Sequence, residues 1–347
     1  MKRILLISPM PPLIGGVSIS TQRLYENLLK DGYDASCFNI KFNNPKYNTA
    51  LGIILRFFII PFYIAFHKKY DIIHCHVPGV YRKLYIALNK PLYKKAKLVF
   101  TIHGDISPYI HNKAFLFALK KCDKIICVQA GDSSKVPLNL RAKTIDIPPF
   151  ILPISSNEKD TPKHILEFVK SAQTPIIIIN GGIVLTEPYY DLYGFNDAFD
   201  LYDRLKGVGI QTTFLSIING LSLNEAQNNF LANLKLRYKN DKHVLIIDHE
   251  QFELFPLFKY CHICLRPTKT DGDSLTIREA LAQNCFVIAS DVSIRPKGVI
   301  TYKKDNADEL YEKVKEALEA PKSKGTNHTI QEFYPQIKHE YEALYNN

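Results

Sequence analysis

The feature that most restricts the fold of this chain is a rhythm. Apolar runs of four to seven residues alternate with amphipathic stretches of ten to twenty, and the alternation occurs twice along the sequence. Short apolar runs suit strands buried on both faces, and the stretches between them are long enough for crossover helices. In the first half, strands are predicted at Arg3 to Ser8, Ala35 to Ile40, Asp71 to His76, Leu98 to His103, Lys124 to Gln129 and Thr144 to Ile147. Helices fit between them at Ser20 to Lys30, within 50 to 69, and at Tyr81 to Tyr93, Asn112 to Lys121 and Asp132 to Leu138. A proline-rich connection follows Ile147, and the rhythm resumes with strands at Pro175 to Asn180, Thr212 to Ile217, Val244 to Asp248, Cys261 to Arg266, Phe286 to Ser290 and Val299 to Tyr302. The expected fold is α/β: two Rossmann-like doubly wound domains facing across a cleft, each opening the carboxyl ends of its strands to ligand. The boundaries expected are 1–153 and 154–328, with a final helix in 329–347. That helix, Thr329 to Tyr345, spaces Ile330, Phe333, Ile337, Tyr341 and Leu344 for one buried face, with a kink or late start at Pro335. It is expected to pack back toward the N-terminal domain.

Composition narrows the class. With 347 residues, 46% hydrophobic, and 20 Tyr and 20 Phe, the chain has ample material for two cores, and Lys322 to Asn327 is the one stretch expected to lack a reason to fold. The charge is unevenly distributed. Residues 1–150 hold 22 Lys and Arg against 8 Asp and Glu, and residues 151–347 hold 22 against 26. A net of +14 beside −4 points to an anionic partner for the first half. Nucleic acid is not expected, because no recognition motif accompanies the charge. Seven cysteines without regular spacing suit reduced thiols and a cytoplasmic protein, and Cys261-His-Ile-Cys264 lacks the second pair a zinc site needs. The opening residues read as a strand, too short in apolar length for a signal peptide. The apolar segment from Leu51 to Phe66, interrupted by Arg56 and Pro61, falls short of the ~20 residues needed to span a bilayer, which leaves a buried or interfacial helix.

Two loops carry chemistry. Gly15 and Gly16 lie between the first strand and a helix, where glycine lets backbone approach a phosphate; the loop does not match the dinucleotide fingerprint. In the second half, Arg266-Pro-Thr-Lys-Thr-Asp271-Gly-Asp273-Ser274 leads from a strand into a helix that carries Arg278 and Glu279. Asp273 or Ser274 can cap that helix, and the amides of Gly272, Asp273, Ser274, Leu275 and Thr276 lie at its start. Carboxylates accept from sugar hydroxyls and a helix N-terminus accepts phosphate, so a sugar joined to a diphosphate fits this loop.

Taken with Asp71-Ile-Ile-His-Cys-His76, Thr101-Ile-His103-Gly104, Tyr193-Gly194-Phe-Asn-Asp-Ala and Phe286-Val-Ile-Ala-Ser-Asp291, this loop resembles the family 4 glycosyltransferases of the GT-B fold over nearly the whole chain. Their signature is an acidic residue, seven others, then Glu. The resemblance implies a retaining transfer of a hexose from a nucleotide diphosphate sugar to a glycan or lipid-linked acceptor, as in the assembly of surface polysaccharide or glycolipid. It implies that Asp271 contacts hydroxyls of the donor sugar, that Glu279 contacts the ribose, and that His103 faces the transferred sugar. The family's Arg and Lys for the diphosphate are absent, since those positions hold Gly182 and Tyr193. Arg266 and Arg278 are the expected replacement cations, because a departing diphosphate develops negative charge. No metal or other cofactor is expected: Asp271-Gly-Asp273 opens a helix of a second sheet unit, unlike the metal-binding motif of the single-sheet GT-A enzymes. The family's acceptors also suggest an anionic membrane surface as a partner at the cytoplasmic face, met by segment 51–66 with Lys68, Lys69, Arg82, Lys83, Lys90, Lys94, Lys95 and Lys97. The missing Arg and Lys motivate an alternative, a non-catalytic GT-B protein that docks on a membrane or binds polysaccharide.

Overall fold

The central strands of each sheet read as unbroken apolar runs because both of their faces are covered. In the first, Ile4, Leu5, Leu6 and Ile7 are all fully buried, and Ile176 to Ile179 are equally enclosed in the seventh. The structure is a computed structural model that describes residues 2–11, 15–41, 49–67, 69–93, 95–154, 158–185, 190–219, 223–248, 250, 252–321 and 330–346. Lys322 to Asn327, Lys68 and Lys94 lie outside these described residues. The chain divides into two compact units, Met1–Ile154 with Glu332–Asn347, and Ser155–Gln331.

The first unit runs β1 (Arg3–Ser8), α1 (Gly16–Lys30), β2 (Asp34–Asn39), α2 (Ala50–Phe66), β3 (Ile72–Cys75), α3 (Val80–Leu88), β4 (Lys97–Ile102), α4 (Lys113–Lys121), β5 (Lys124–Cys127), α5 (Asp132–Lys135), α6 (Leu138–Arg141) and β6 (Thr144–Asp146). Its sheet is parallel, in the order β2-β1-β3-β4-β5-β6. The strand order reverses between β1 and β3, so the crevice beyond Ser8 and Cys75 is where such a sheet receives ligand. The second unit runs α7 (Lys163–Ser171), β7 (Ile176–Gly182), α8 (Phe195–Gly207), β8 (Thr213–Asn219), α9 (Glu225–Tyr238), β9 (Val244–Asp248), α10 (Phe255–Phe258), β10 (Ile263–Arg266), α11 (Leu275–Ala282), β11 (Phe286–Ser290), β12 (Val299–Tyr302) and α12 (Ala307–Glu319). Its order, β12-β11-β10-β7-β8-β9, reverses between β7 and β10. The α/β class and the pair of doubly wound sheets are as the alternation predicts.

Proline accounts for the departures. The helix expected over Tyr81 to Tyr93 ends at Leu88, and Pro91 lies in a separate 3₁₀ turn over Lys90–Tyr93. The helix expected over Asp132 to Leu138 becomes α5 and α6, parted at Pro137. The last helix, α13 (Tyr334–Asn346), begins with Pro335 in its first turn, where a missing N–H costs nothing. It lies on the first unit, with Tyr341 fully buried among Ile4, Leu6, Ile72 and Val99. Tyr334 donates to Asp31 (2.8 Å), and Lys338 pairs with the same carboxylate (2.7 Å).

Candidate functional site

In the second unit, the register that sets Leu265 opposite Ile179 brings Arg266, the last residue of β10, beside Asn180 of β7. Arg266 donates to the Asn180 carbonyl (Nη1, 3.3 Å) and grips Asp271 with two bonds, Nε to Oδ2 and Nη2 to Oδ1, each 3.0 Å. A second guanidinium, Arg295, reaches the same carboxylate from the loop after β11 (Nη1 to Oδ2, 2.8 Å), and its Nε is anchored on the Ser290 carbonyl at 3.0 Å. Both arginines are buried, with side-chain exposures of 10% and 3%. Burial alone would raise the Asp271 carboxyl, but Arg266 and then Arg295 hold it below the usual carboxylate range. The carboxylate therefore stays ionised, and two cations converge on it.

Asp273 is paired as well. Arg278, one turn into α11, meets it with two bonds of 2.6 Å. Both cations nominated from the sequence are thus engaged by carboxylates of their own loop. Asp273 does not cap α11; Ser274 occupies the N-cap and forms no side-chain cap bond, so the first turn, with Leu275 and Thr276, keeps unsatisfied amides. Thr276 accepts from the Asn180 amide (3.2 Å), tying the helix start to the end of β7. Glu279 lies in the second turn of α11, 5% exposed. Gly272 donates its amide to Asp271 (3.1 Å).

The positions of the absent family cations are filled in a specific way. The Tyr193 ring stands over the backbone of Gly181, where a Cβ would come within 2.4 Å of it, and the Arg266 guanidinium lies 5.0 Å from the ring centroid. Gly194 has φ +71°, and a Cβ there would lie 2.2 Å from the Pro267 carbonyl, so only glycine lets this turn rest against the acidic loop. Arg295 was not identified from the sequence, and Tyr193 was named there only as the position of the missing Lys. The signal for Arg295 was thin, an arginine a few residues beyond the strand that neighbours β10.

In the first unit, the Gly15 amide is taken by Ser18 Oγ at 2.9 Å, and Gly15 is extended, with φ −170°. Gly16 opens α1. His103 follows β4, half-buried, and its Nε2 lies 3.1 Å from His76 Nδ1. His74 is enclosed between Thr101 Oγ1 (2.7 Å, from Nε2) and the Tyr341 hydroxyl. Burial lowers His74 and His103 to about 3 and His76 well below the ordinary histidine value, so all three rings are neutral near pH 7. His76 and His103 line a cavity of about 190 Å³ with Pro9, Gly79, Lys83 and Tyr109. Lys83, grouped from the sequence with the surface cations, is instead 5% exposed, donates to the Val77 carbonyl and is lowered by burial to about 8. Lys83 shares the inward face of α3 with Ile86 and Ala87, three and four positions on. Among the described residues no group of three or more His, Cys, Asp or Glu is placed to hold a metal ion.

Residues 14–132 match the family model described as Glycosyltransferase Family 4. No curated protein matches the sequence. Solved structures match over the whole chain. A glycosyltransferase from Rickettsia africae aligns with a TM-score of 0.70 at 14% identity, covering 100% of this chain and 99% of that one. The catalytic domain of starch synthase IV from Arabidopsis thaliana, bound to ADP and acarbose, aligns at 0.69 and 13% identity with the same coverage. Anabaena HepE in complex with UDP and glucose aligns at 0.66 and 13% identity, with 100% of both chains covered. Identities this low speak to the fold alone: the chain has the GT-B fold of these glycosyltransferases, and its residues 14–132 are similar to Glycosyltransferase Family 4.

Proposed function

We propose that the protein moves a hexose, with retention of configuration, from a nucleoside diphosphate sugar to a hydroxyl of a glycan or lipid-linked acceptor. The reading rests above all on one observation: Arg266, Asp271, Arg295 and the uncapped first turn of α11 gather where the strand order of the second unit reverses. The diphosphate takes the α11 amides and the cationic field of Arg266 and Arg295, which stand in for the Arg and Lys missing at Gly182 and Tyr193. Asp271 orients hydroxyls of the sugar and Glu279 the ribose. The bond from the anomeric carbon to the phosphate oxygen breaks, the acceptor oxygen bonds to that carbon on the same face, and its proton passes to the departing phosphate oxygen. The acceptor belongs to the first-unit cavity, where His103 is held neutral and hydrogen-bonded to His76, so it accepts or donates without adding charge. HepE is described in complex with UDP and glucose, which makes uridine diphosphate hexoses the first donors to test.

Glu279→Gln, which keeps the shape and removes the charge, is expected to weaken donor binding about tenfold or more in titration calorimetry with UDP-glucose and related donors. Unchanged affinity and turnover would take Glu279 out of the site. A second reading has its own support, since each carboxylate of the loop already holds an arginine. A non-catalytic GT-B protein would show neither transfer nor slow hydrolysis with any donor of a panel spanning uridine, guanosine and adenosine diphosphate sugars.

A further inference from the structure

One face of α2 is largely exposed, touched by Tyr85 of α3 at Phe58. Leu51, Leu55, Phe58, Ile59, Phe62 and Phe66 are 53% to 84% exposed. At 3.6 residues per turn they fall within about 100° of arc along some 22 Å of helix. The opposite face is core: Phe57, Ile60 and Ile64 are 7%, 0% and 3% exposed. The stripe continues onto the neighbouring elements, with Tyr81 and Leu88 of α3 and Leu92 of the following turn exposed as well. Tyr85 of α3 holds the arrangement together by donating to the Phe58 carbonyl at 3.1 Å. A contiguous apolar surface of this extent on a folded unit marks a docking site.

Charge decides what docks there. Residues 35–104 contain eleven Lys and Arg and one acidic residue, Asp71. Among the described residues, Lys69 and Lys95 are exposed and Arg82 half-buried around the stripe. A second copy of this unit would bring like charges against each other, whereas an anionic bilayer offers apolar depth beneath a negative surface. The helix has 17 residues with Pro61 inside it, and no described helix is long and apolar enough to cross a membrane, so its exposed face suits lying in the interface.

We propose that α2 is an interfacial helix that seats the first unit on an anionic lipid bilayer, with Phe58, Phe62 and Phe66 entering the headgroup–acyl boundary and Lys69 and Lys95 at the headgroups. This goes beyond the transfer reaction and does not depend on it. The test is co-sedimentation of the full chain with vesicles of phosphatidylcholine alone and with roughly a third phosphatidylglycerol. Retention on the mixed vesicles is expected, weakening as salt rises. Phe58→Asp/Phe62→Asp is expected to lose about tenfold or more of that binding while its urea midpoint and UDP-glucose affinity stay unchanged. Lys69→Glu/Lys95→Glu should lose binding at low salt and little at high salt. Equal retention on both vesicle types, no retention on either, or unaltered binding by the aspartate variant overturns the proposal. So does a wild-type dimer in sedimentation velocity that the aspartate variant converts to monomer, because the face would then belong to a second copy.

Discussion

Asp271 accepts from two buried guanidiniums, and that arrangement is where single residues carry the most weight. A carboxylate bound twice by Arg266 keeps its place when Arg295 is removed, so Arg295→Met tests the second cation without dismantling the loop. It is expected to weaken UDP-glucose binding tenfold to a hundredfold, the ~1.5 to 3 kcal/mol of a charge-assisted hydrogen bond, with circular dichroism unchanged. Wild-type affinity in calorimetry would remove Arg295 from the diphosphate. The sequence made part of this cluster visible and hid the rest, for a physical reason. Asp271, Asp273, Arg278 and Glu279 lie within nine positions of one another, so a strand end, a turn and a helix start bring them together locally. Arg295, Asn180 and Tyr193 arrive from other βα turns, and their meeting depends on strand order that short-range patterns do not encode. The same limit explains Lys83: a lysine on an amphipathic helix reads as solvated until the cavity beside His76 is known.

At the scale of elements, the period of the apolar residues was readable and several helix ends were not. Phe286–Ser290 coincides with its apolar run because a parallel strand buried on both faces has little polar sequence to blur its edge. Helix ends were misread where the expected helices ran on through Pro91 and Pro137, and legible at Pro335. The final helix shows what an element adds to the core of its unit. Tyr341 of α13 is fully buried and its hydroxyl meets His74, whose other nitrogen is held by Thr101. Tyr341→Phe strips one buried partner from the histidine and is expected to cost about 1 to 3 kcal/mol. Tyr341→Ala also opens a cavity and should cost about 3 to 5 kcal/mol. Urea denaturation measures both, and midpoints equal to wild type would show that α13 adds nothing to the first unit.

At the scale of the whole molecule, the two units respond to acid through different groups. His74 and His76 are buried in the first unit with folded values far below the ordinary histidine value of ~6.5, while the unfolded chain titrates near that value. A depressed folded value means the unfolded state binds the proton first. The stability these rings contribute is therefore complete above about pH 6.5 and is lost as pH falls toward about 3. Two such groups give a slope approaching ~2.7 kcal/mol per pH unit in that window. The depressed groups of the second unit are carboxyls, Glu158, Asp241 and Asp271, and their contribution persists until pH falls below the ordinary carboxylate range of ~4 to 4.5. Between about pH 6 and pH 4.5 only the first unit should weaken. Each unit has its own core, so calorimetry at pH 7.5 and pH 5 is expected to show the first unit's transition moving to lower temperature and separating from that of the second. On the proposed function the donor binds the second unit, so UDP-glucose should raise the upper transition at pH 5 and leave the lower one in place. Transitions that fall together with pH, or a lower transition that follows the nucleotide sugar, would assign the acid sensitivity to groups other than these histidines.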